Sequence, residues 1–272
     1  MLDKSKKIAL VLGGGYLTEL LIKECKKKNL DFFIIGVKEY YIESYKSPAD
    51  YTISYNSLGS IFKILMLKKI KNIIFLGNVK KVSLFRLRPN LMTFYYILKL
   101  IFSYHKGDDY LLRKIITIFH KKGFNIIDSR DLLHKYLATD KKNNLEKHSK
   151  IISKETIYKY FELAKEFGKK DQGQTIIVSN NKVVLSEDRD GTDKMIERYN
   201  CKKSRYHSFL VKVSKPDQEL KIDLPTIGPS TIHKIIDSGI KGIILEKEKT
   251  YISDIDVTYD LIMKNNLLYY AI

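Results

Sequence analysis

Lys7-Ile8-Ala9-Leu10-Val11-Leu12-Gly13-Gly14-Gly15 (KIALVLGGG) is the stretch that decides the fold. A short apolar run ending in three glycines reads as a buried strand entering a tight turn. Leu17, Leu20, Leu21 and Cys25 follow at helical spacing, and Lys26, Lys27 and Lys28 occupy the last turn, where cations suit the helix dipole. Residues 31–37 (DFFIIGV) form a second buried strand. Strand, glycine turn, helix, strand is the opening of a Rossmann-like unit built on a parallel sheet. Glycine lets the backbone approach a phosphate at a helix N-terminus, which makes Gly13 and Gly14 candidate substrate contacts. The run is not G-x-G-x-x-G, so a nicotinamide cofactor is not expected.

Outward from this unit the same alternation continues. A helix carrying Leu58, Ile61, Phe62 and Leu65 leads to a strand over 72–76 that ends in Gly77-Asn78-Val79. Loops at strand carboxyl ends are where open α/β sheets hold ligands, so Gly77 and Asn78 are candidates, although Gly-Asn also makes an ordinary turn. Residues 91–104 (LMTFYYILKLIFSY) are apolar apart from Lys99. They suit a buried helix, or one that lies on a bilayer or lines a cavity for acyl chains. Asp108 and Asp109 open the next helix as first-turn anions, and a strand over 124–128 closes the half. The expected organisation is α/β throughout: a Rossmann-like domain over 1–130, an exposed Lys/Asn-rich linker over 131–150, and a second α/β domain with a mixed sheet over 151–272. In the second domain, 175–178 and 183–186 pair as a hairpin across Ser179-Asn180-Asn181-Lys182.

Composition narrows the classes. The 272 residues are 44% hydrophobic and 29% charged, which is globular rather than disordered. Ser5-Lys6-Lys7 runs straight into the first strand, so no signal peptide is expected. No apolar run reaches the roughly 18 residues of a membrane span. Cys25 and Cys201 have no metal-ligand spacing and read as reduced thiols of a cytoplasmic protein. The formal charge of +18 invites a nucleic-acid partner, but only 7 of the 49 basic residues are Arg, the residue that base and phosphate recognition favours. No nucleic-acid partner is expected; an anionic substrate or membrane face suits scattered lysines better.

Four turns of the second half carry acids, amides or hydroxyls: 171–174 (DQGQ), 187–193 (EDRDGTD), 215–219 (KPDQE) and 223–231 (DLPTIGPST). In the last, Asp223 heads a turn stiffened by Pro225 and Pro229, and a helix with Ile232, Ile235 and Ile236 on one face starts directly behind it. A helix N-terminus of that kind is an anion site, though the pattern also describes a plain helix start. Oxygen-rich clusters with little His or Cys suit Mg²⁺, or Mn²⁺, in partnership with phosphates.

In the same order along nearly the whole chain, GNV at 77–79, GDDxLLR at 107–113, DxGQ at 171–174, GTD at 191–193 and KPxQE-x3-DLPTIG-x2-TI at 215–232 resemble UDP-2,3-diacylglucosamine diphosphatases of the LpxI type. The resemblance implies Mg²⁺-supported hydrolysis of UDP-2,3-diacylglucosamine to 2,3-diacylglucosamine 1-phosphate (lipid X) and UMP in lipid A biosynthesis, with water attacking the sugar-side phosphorus. It implies a cytoplasmic enzyme peripherally bound to the inner membrane, with the substrate held between two domains, and it leaves room for a homo-oligomer. Asp223 would be the catalytic carboxylate, and Asp190 and Asp193 metal ligands or helix caps. Gln174, Gly191, Thr192, Lys215, Thr226, Gly228 and Thr231 would contact phosphates or uridine. Two departures stand out: Asp190 replaces the family's usual Glu, and Lys80-Lys81-Val82 replaces an Arg-Pro-type continuation. The alternative is a module of the same fold that binds a nucleotide or anionic lipid without chemistry.

Overall fold

The computed structural model describes residues 6–41, 47–79, 88–104, 108–170, 172–188, 190–199, 206–216 and 218–272. The chain divides into two compact units, Met1–His134 with Glu219–Asp223, and Lys135–Gln218 with Leu224–Ile272.

The first unit runs β1 (Ile8–Leu12), α1 (Tyr16–Lys27), β2 (Phe32–Val37), β3 (Tyr51–Ile53), a 3₁₀ turn (Tyr55–Ser60), α2 (Ile61–Leu67), β4 (Asn72–Leu76), α3 (Leu91–Tyr104), α4 (Asp108–Lys121), β5 (Asn125–Ile126) and α5 (Arg130–Leu133). The strands form one sheet in the order β3-β2-β1-β4-β5, every pair parallel. All five residues of β1 are buried, as a central strand covered on both faces requires. Strand order reverses between β1 and β4, which makes their carboxyl ends the switch point of the sheet.

Glycine decides the geometry there. Gly14 and Asn78 exchange backbone hydrogen bonds, Gly14 N–H to Asn78 O at 3.0 Å and Asn78 N–H to Gly14 O at 2.7 Å, while Gly13 N–H donates to Leu76 O at 2.9 Å. A Cβ on Gly13 would lie 2.6 Å from Asn78 O, and one on Gly77, whose φ is +103°, would lie 2.8 Å from Gly14 O. Cys25 is buried in this unit, and desolvation pushes its thiol up to about 12, so it packs as an inert apolar group.

The second unit runs α6 (Lys154–Gly168), β6 (Thr175–Ser179), β7 (Lys182–Ser186), α7 (Thr192–Tyr199), β8 (Ser208–Lys212), β9 (Thr226–Ile227), α8 (Pro229–Asp237), β10 (Gly242–Leu245), β11 (Tyr251–Ile252), α9 (Ile255–Lys264) and β12 (Leu268–Ala271). Its main sheet is mixed, in the order β12-β10-β8-β6-β7. β8, β10 and β12 are parallel, and β6 runs against both of its neighbours. The β6–β7 hairpin turns through Asn180 (φ 46°) and Asn181 (φ 60°), the left-handed pair that matches strand twist in a two-residue loop. α8 starts at Pro229, which needs no N–H partner in the first turn.

Two boundaries differ from the sequence expectation. Residues 131–150 are not an exposed linker: Leu132, Leu133, Tyr136, Leu137, Ala138 and His148 are buried. Asn143 and Asn144 act as surrogate backbone along β12. Their side chains accept from Ala271 N–H (2.7 Å) and Tyr269 N–H (2.8 Å), and donate to Ala271 O (3.1 Å) and Leu267 O (2.9 Å). Polar composition here satisfies a sheet edge. Secondly, residues 219–223, expected within the second domain, cluster with the first unit.

Substituting Gly13→Ala places a methyl against the Asn78 carbonyl and should lower unfolding free energy by about 1–3 kcal/mol. Chemical denaturation would read this as a lower midpoint at unchanged slope; an unchanged midpoint would mean that the two loops do not need this approach.

Candidate functional site

The switch point of the first unit opens into a cavity of about 480 Å³, within the range of small-molecule sites. Gly13, Gly77 and Asn78 stand in its lining, and so does Asp223. The carboxylate is brought there by a single helical turn, in which Ile222 and Asp223 both donate backbone N–H to Glu219 O (3.1 and 3.0 Å). Ile222 packs against the unit's apolar core and anchors that turn. Among the described lining residues Asp223 is the only carboxylate; Tyr55, Asn78, Thr93 and Tyr96 add the polar groups, and the remainder is apolar apart from glycine backbone. Burial pushes the Tyr55 hydroxyl above its ordinary range, assisted by its bond with Tyr40, so it stays a neutral group.

Gly13 and Gly14, expected as substrate contacts, use their backbone donors within the fold. Their N–H groups are taken by Leu76 O and Asn78 O. What glycine supplies is the close approach of two loops, which sets the rim of the cavity.

The second unit carries a polar cluster at the carboxyl ends of β7 and β8. Glu187 is buried. Its Oε1 accepts from Thr192 Oγ1 at 2.6 Å and its Oε2 from Gln174 N–H at 2.9 Å. The buried Lys212 ammonium donates to Thr192 Oγ1 (2.7 Å) and Thr175 Oγ1 (3.2 Å). Burial opposes the Glu187 charge, yet Lys212 and the Thr192 and Gln174 bonds outweigh it and hold the carboxyl below its ordinary value. A Cβ on Gly173 would meet Glu187 O at 2.8 Å, which explains the glycine of the DQGQ turn. Gln174 Oε1 is buried with no hydrogen-bond partner.

A second buried carboxylate, Glu246, follows β10. It accepts from Ser214 N–H and Oγ (both 2.7 Å), Lys249 Nζ (2.8 Å) and Lys165 Nζ (3.1 Å). Desolvation works against it too, and the Lys249, Ser214 and Lys165 partners leave its pKa lowered.

The remaining candidates are placed as follows. Asp193 is held where α7 meets α8, accepting from Lys234 Nζ (3.0 Å), Thr231 Oγ1 (3.2 Å) and Ser230 Oγ (3.4 Å). Asp190 is exposed, 3.6 Å from Arg198, which also holds Asp188 at 2.7 Å. Gly191 takes φ +87° ahead of α7. Lys215 donates its backbone N–H to Gln218 Oε1 at 3.0 Å. Thr226 Oγ1 donates to Leu224 O at 3.2 Å. A Cβ at Gly228 would collide with Ser253 Oγ. Lys80, Lys81, Val82, Gly107, Asp171 and Cys201 lie outside the described residues. Among the described residues no three His, Cys, Asp or Glu side chains group as a metal site.

Sequence reasoning did not single out Glu187, Lys212 or Glu246. A lysine ending the run Ser208–Lys212, otherwise all buried strand, was the available signal.

Two family models match the chain: the LpxI N-terminal domain over residues 7–136 and the LpxI C-terminal domain over 142–270. The chain is also similar to UDP-2,3-diacylglucosamine pyrophosphatase LpxI of Caulobacter vibrioides, 30% identical over 257 residues, which cover 92% of this chain and 91% of that one.

Lys212→Met would leave the Glu187 carboxylate buried without its cation and should destabilise the fold by about 3–5 kcal/mol. Removing both charges, as Lys212→Met with Glu187→Leu, should recover much of that loss in the same melts. Because the folded carboxyls of Glu187 and Glu246 lie below the ordinary 4.5, their contribution is complete above that pH and is lost as pH falls through the lowered values. Acid titration of stability should accordingly fall below about pH 4.5, less steeply in Glu187→Gln. An equal slope would exclude Glu187 as a source.

Proposed function

Because the chain belongs to the LpxI family, we propose that it hydrolyses the pyrophosphate of UDP-2,3-diacylglucosamine, releasing lipid X and UMP in lipid A biosynthesis. The observation that carries this reading is the cavity lining: one carboxylate, Asp223, stands among walls that are otherwise almost wholly apolar. Such a site suits an amphiphile whose reacting group is polar and whose bulk is hydrocarbon. It also fits the pyrophosphatase activity for which the Caulobacter relative is named. The rival reading, a module that binds a nucleotide or anionic lipid without chemistry, predicts ligand binding with no UMP released; the Gly13 and Gly14 N–H groups are already bonded within the fold and offer it no free donors.

In this reading Asp223 serves the attacking water. The water oxygen bonds to the sugar-side phosphorus, the bond from that phosphorus to the bridging oxygen breaks, and the bridging oxygen leaves with UMP. Asp223 would accept the water's proton; were Mg²⁺ bound there, the carboxylate would hold it and the ion would lower the water's pKa. Mg²⁺ is the ion we assign; bound beside Asp223, it would neutralise charge on the phosphoryl oxygens. To take that role, Asp193 would have to give up Lys234 and Thr231, and Asp190 would have to leave Arg198. We therefore assign the ion to Asp223 and read the other two as anchors of α7. The glucosamine acyl chains would enter the apolar part of the cavity, whose walls include Phe62, Tyr96, Leu112 and Phe119. Gln174, Thr192, Lys215, Thr226 and Thr231 are our candidates for the uridine and phosphate contacts. A diacylated substrate would be met at the inner-membrane surface by a cytoplasmic enzyme.

With purified protein, UDP-2,3-diacylglucosamine and Mg²⁺, UMP should be released and EDTA should stop it. Asp223→Ala should keep the native melting profile and lose about 10²–10⁴-fold of the rate. Undiminished UMP release by that variant would sink the assignment.

A further inference from the structure

α3 is apolar apart from Lys99, Thr93 and Ser103, and its rotation is pinned. Gly59 N–H donates to Thr93 Oγ1 at 2.9 Å, and Asn90 Nδ2 donates to Ser60 Oγ at 3.1 Å. A Cβ on Gly59 would lie 2.7 Å from Thr93 N, so the helix rests directly on the 3₁₀ turn. Thr93, Tyr96, Ile97 and Leu100 consequently face the cavity. The same rotation turns Leu91, Phe94, Tyr95 and Leu98 outward, with exposures of 90%, 49%, 52% and 49%. These four positions share one helical stripe.

A helix that is apolar on both its inward and its outward stripe belongs in a core or in lipid. Fourteen residues extend only about 21 Å, too short for a hydrocarbon layer of about 30 Å. Among the described residues no helix is long and apolar enough to cross a membrane. A stripe of this kind lies in an interface rather than through it.

Charge supplies an independent observation. Residues 51–107 hold ten Lys and Arg and no Asp or Glu, while the other 39 basic residues share the rest of the chain with all 31 acids. Lys63, Lys68, Lys69, Lys71 and Arg88 of this acid-free segment are exposed. An acidic protein or a nucleic acid would answer the charge but not four apolar side chains standing in water. An anionic bilayer answers both.

We infer that the outward face of α3 seats on an anionic lipid bilayer, with Leu91, Phe94, Tyr95 and Leu98 entering the acyl boundary while the exposed cations of the same acid-free segment draw the chain toward anionic headgroups. This goes beyond the proposed reaction and holds for any ligand the cavity takes.

Sedimentation with vesicles tests it without reference to turnover. The full chain should pellet with vesicles containing phosphatidylglycerol, much less with phosphatidylcholine alone, and less as salt rises. Phe94→Ser with Leu98→Ser should weaken binding at least tenfold while leaving circular dichroism and melting unchanged, since both sites are surface positions. The chain has no Trp, so Leu91→Trp gives a single reporter whose emission should shift to the blue on anionic vesicles and be quenched by brominated lipid. Tyr158→Trp on α6, at a site also exposed, should show neither change. Failure of the parent chain to bind anionic vesicles, undiminished binding by the double variant, or an unshifted Leu91→Trp spectrum in the bound protein would each overturn the inference.

Discussion

Two loops can exchange backbone hydrogen bonds at the carboxyl end of a parallel strand pair only if no side chain stands between them. That constraint governs the first unit. β1 and β4 run side by side, and the bridge between Gly14 and Asn78 ties the loops that follow them. Because Gly13 and Gly77 leave no room for a Cβ, the bridge sets where the chain departs from the switch point. The cavity opens at this rim, and the Ile222 anchor brings Asp223 to it. Residues that suggest a phosphate cradle in sequence thus tie the two loops together, and the same rim holds a carboxylate more than 200 positions away in the chain.

The second unit depends on a different interaction, the neutralisation of buried charge. Glu187, linked to Lys212 through the Thr192 hydroxyl, and Glu246, paired with Lys165 and Lys249, place carboxylate and ammonium groups at the carboxyl ends of β7, β8 and β10. Burying one charge alone is expensive, whereas a hydrogen-bonded pair stands close to break-even. The value of these clusters lies in geometry. Glu187 joins the DQGQ turn to Thr192, so two of the polar turns recognised in sequence are held together by one side chain. Asp193 does the same for α7 and α8 through Lys234 and Thr231.

α3 shows how one element serves two environments. Its contacts with the 3₁₀ turn fix an inward face that closes the cavity. Its outward face, Leu91, Phe94, Tyr95 and Leu98, is also apolar but stands exposed, and it occurs in a segment from which acidic residues are absent. Net charge alone favours no one anionic partner; exposed apolar side chains in an acid-free segment are what the bilayer inference rests on.

Much of the fold was legible because its signals are local. A five-residue apolar run, three glycines and a helical period define β1, the turn and α1 within 21 residues, and Asn180-Asn181 marks its hairpin directly. Pro229 announces the start of α8 in the same way. The motifs around Asp223 were enough to bring the family resemblance into view. Tertiary structure alone decided which acids are buried and paired, that 219–223 clusters with the first unit, and that the polar stretch after Thr139 folds along β12. These outcomes rest on partners far apart in the chain, such as Asn143 and Ala271, 128 residues apart. Periodicity and capping report a residue's immediate neighbours. They are silent about which distant carbonyl, ammonium or glycine the folded chain will bring against it.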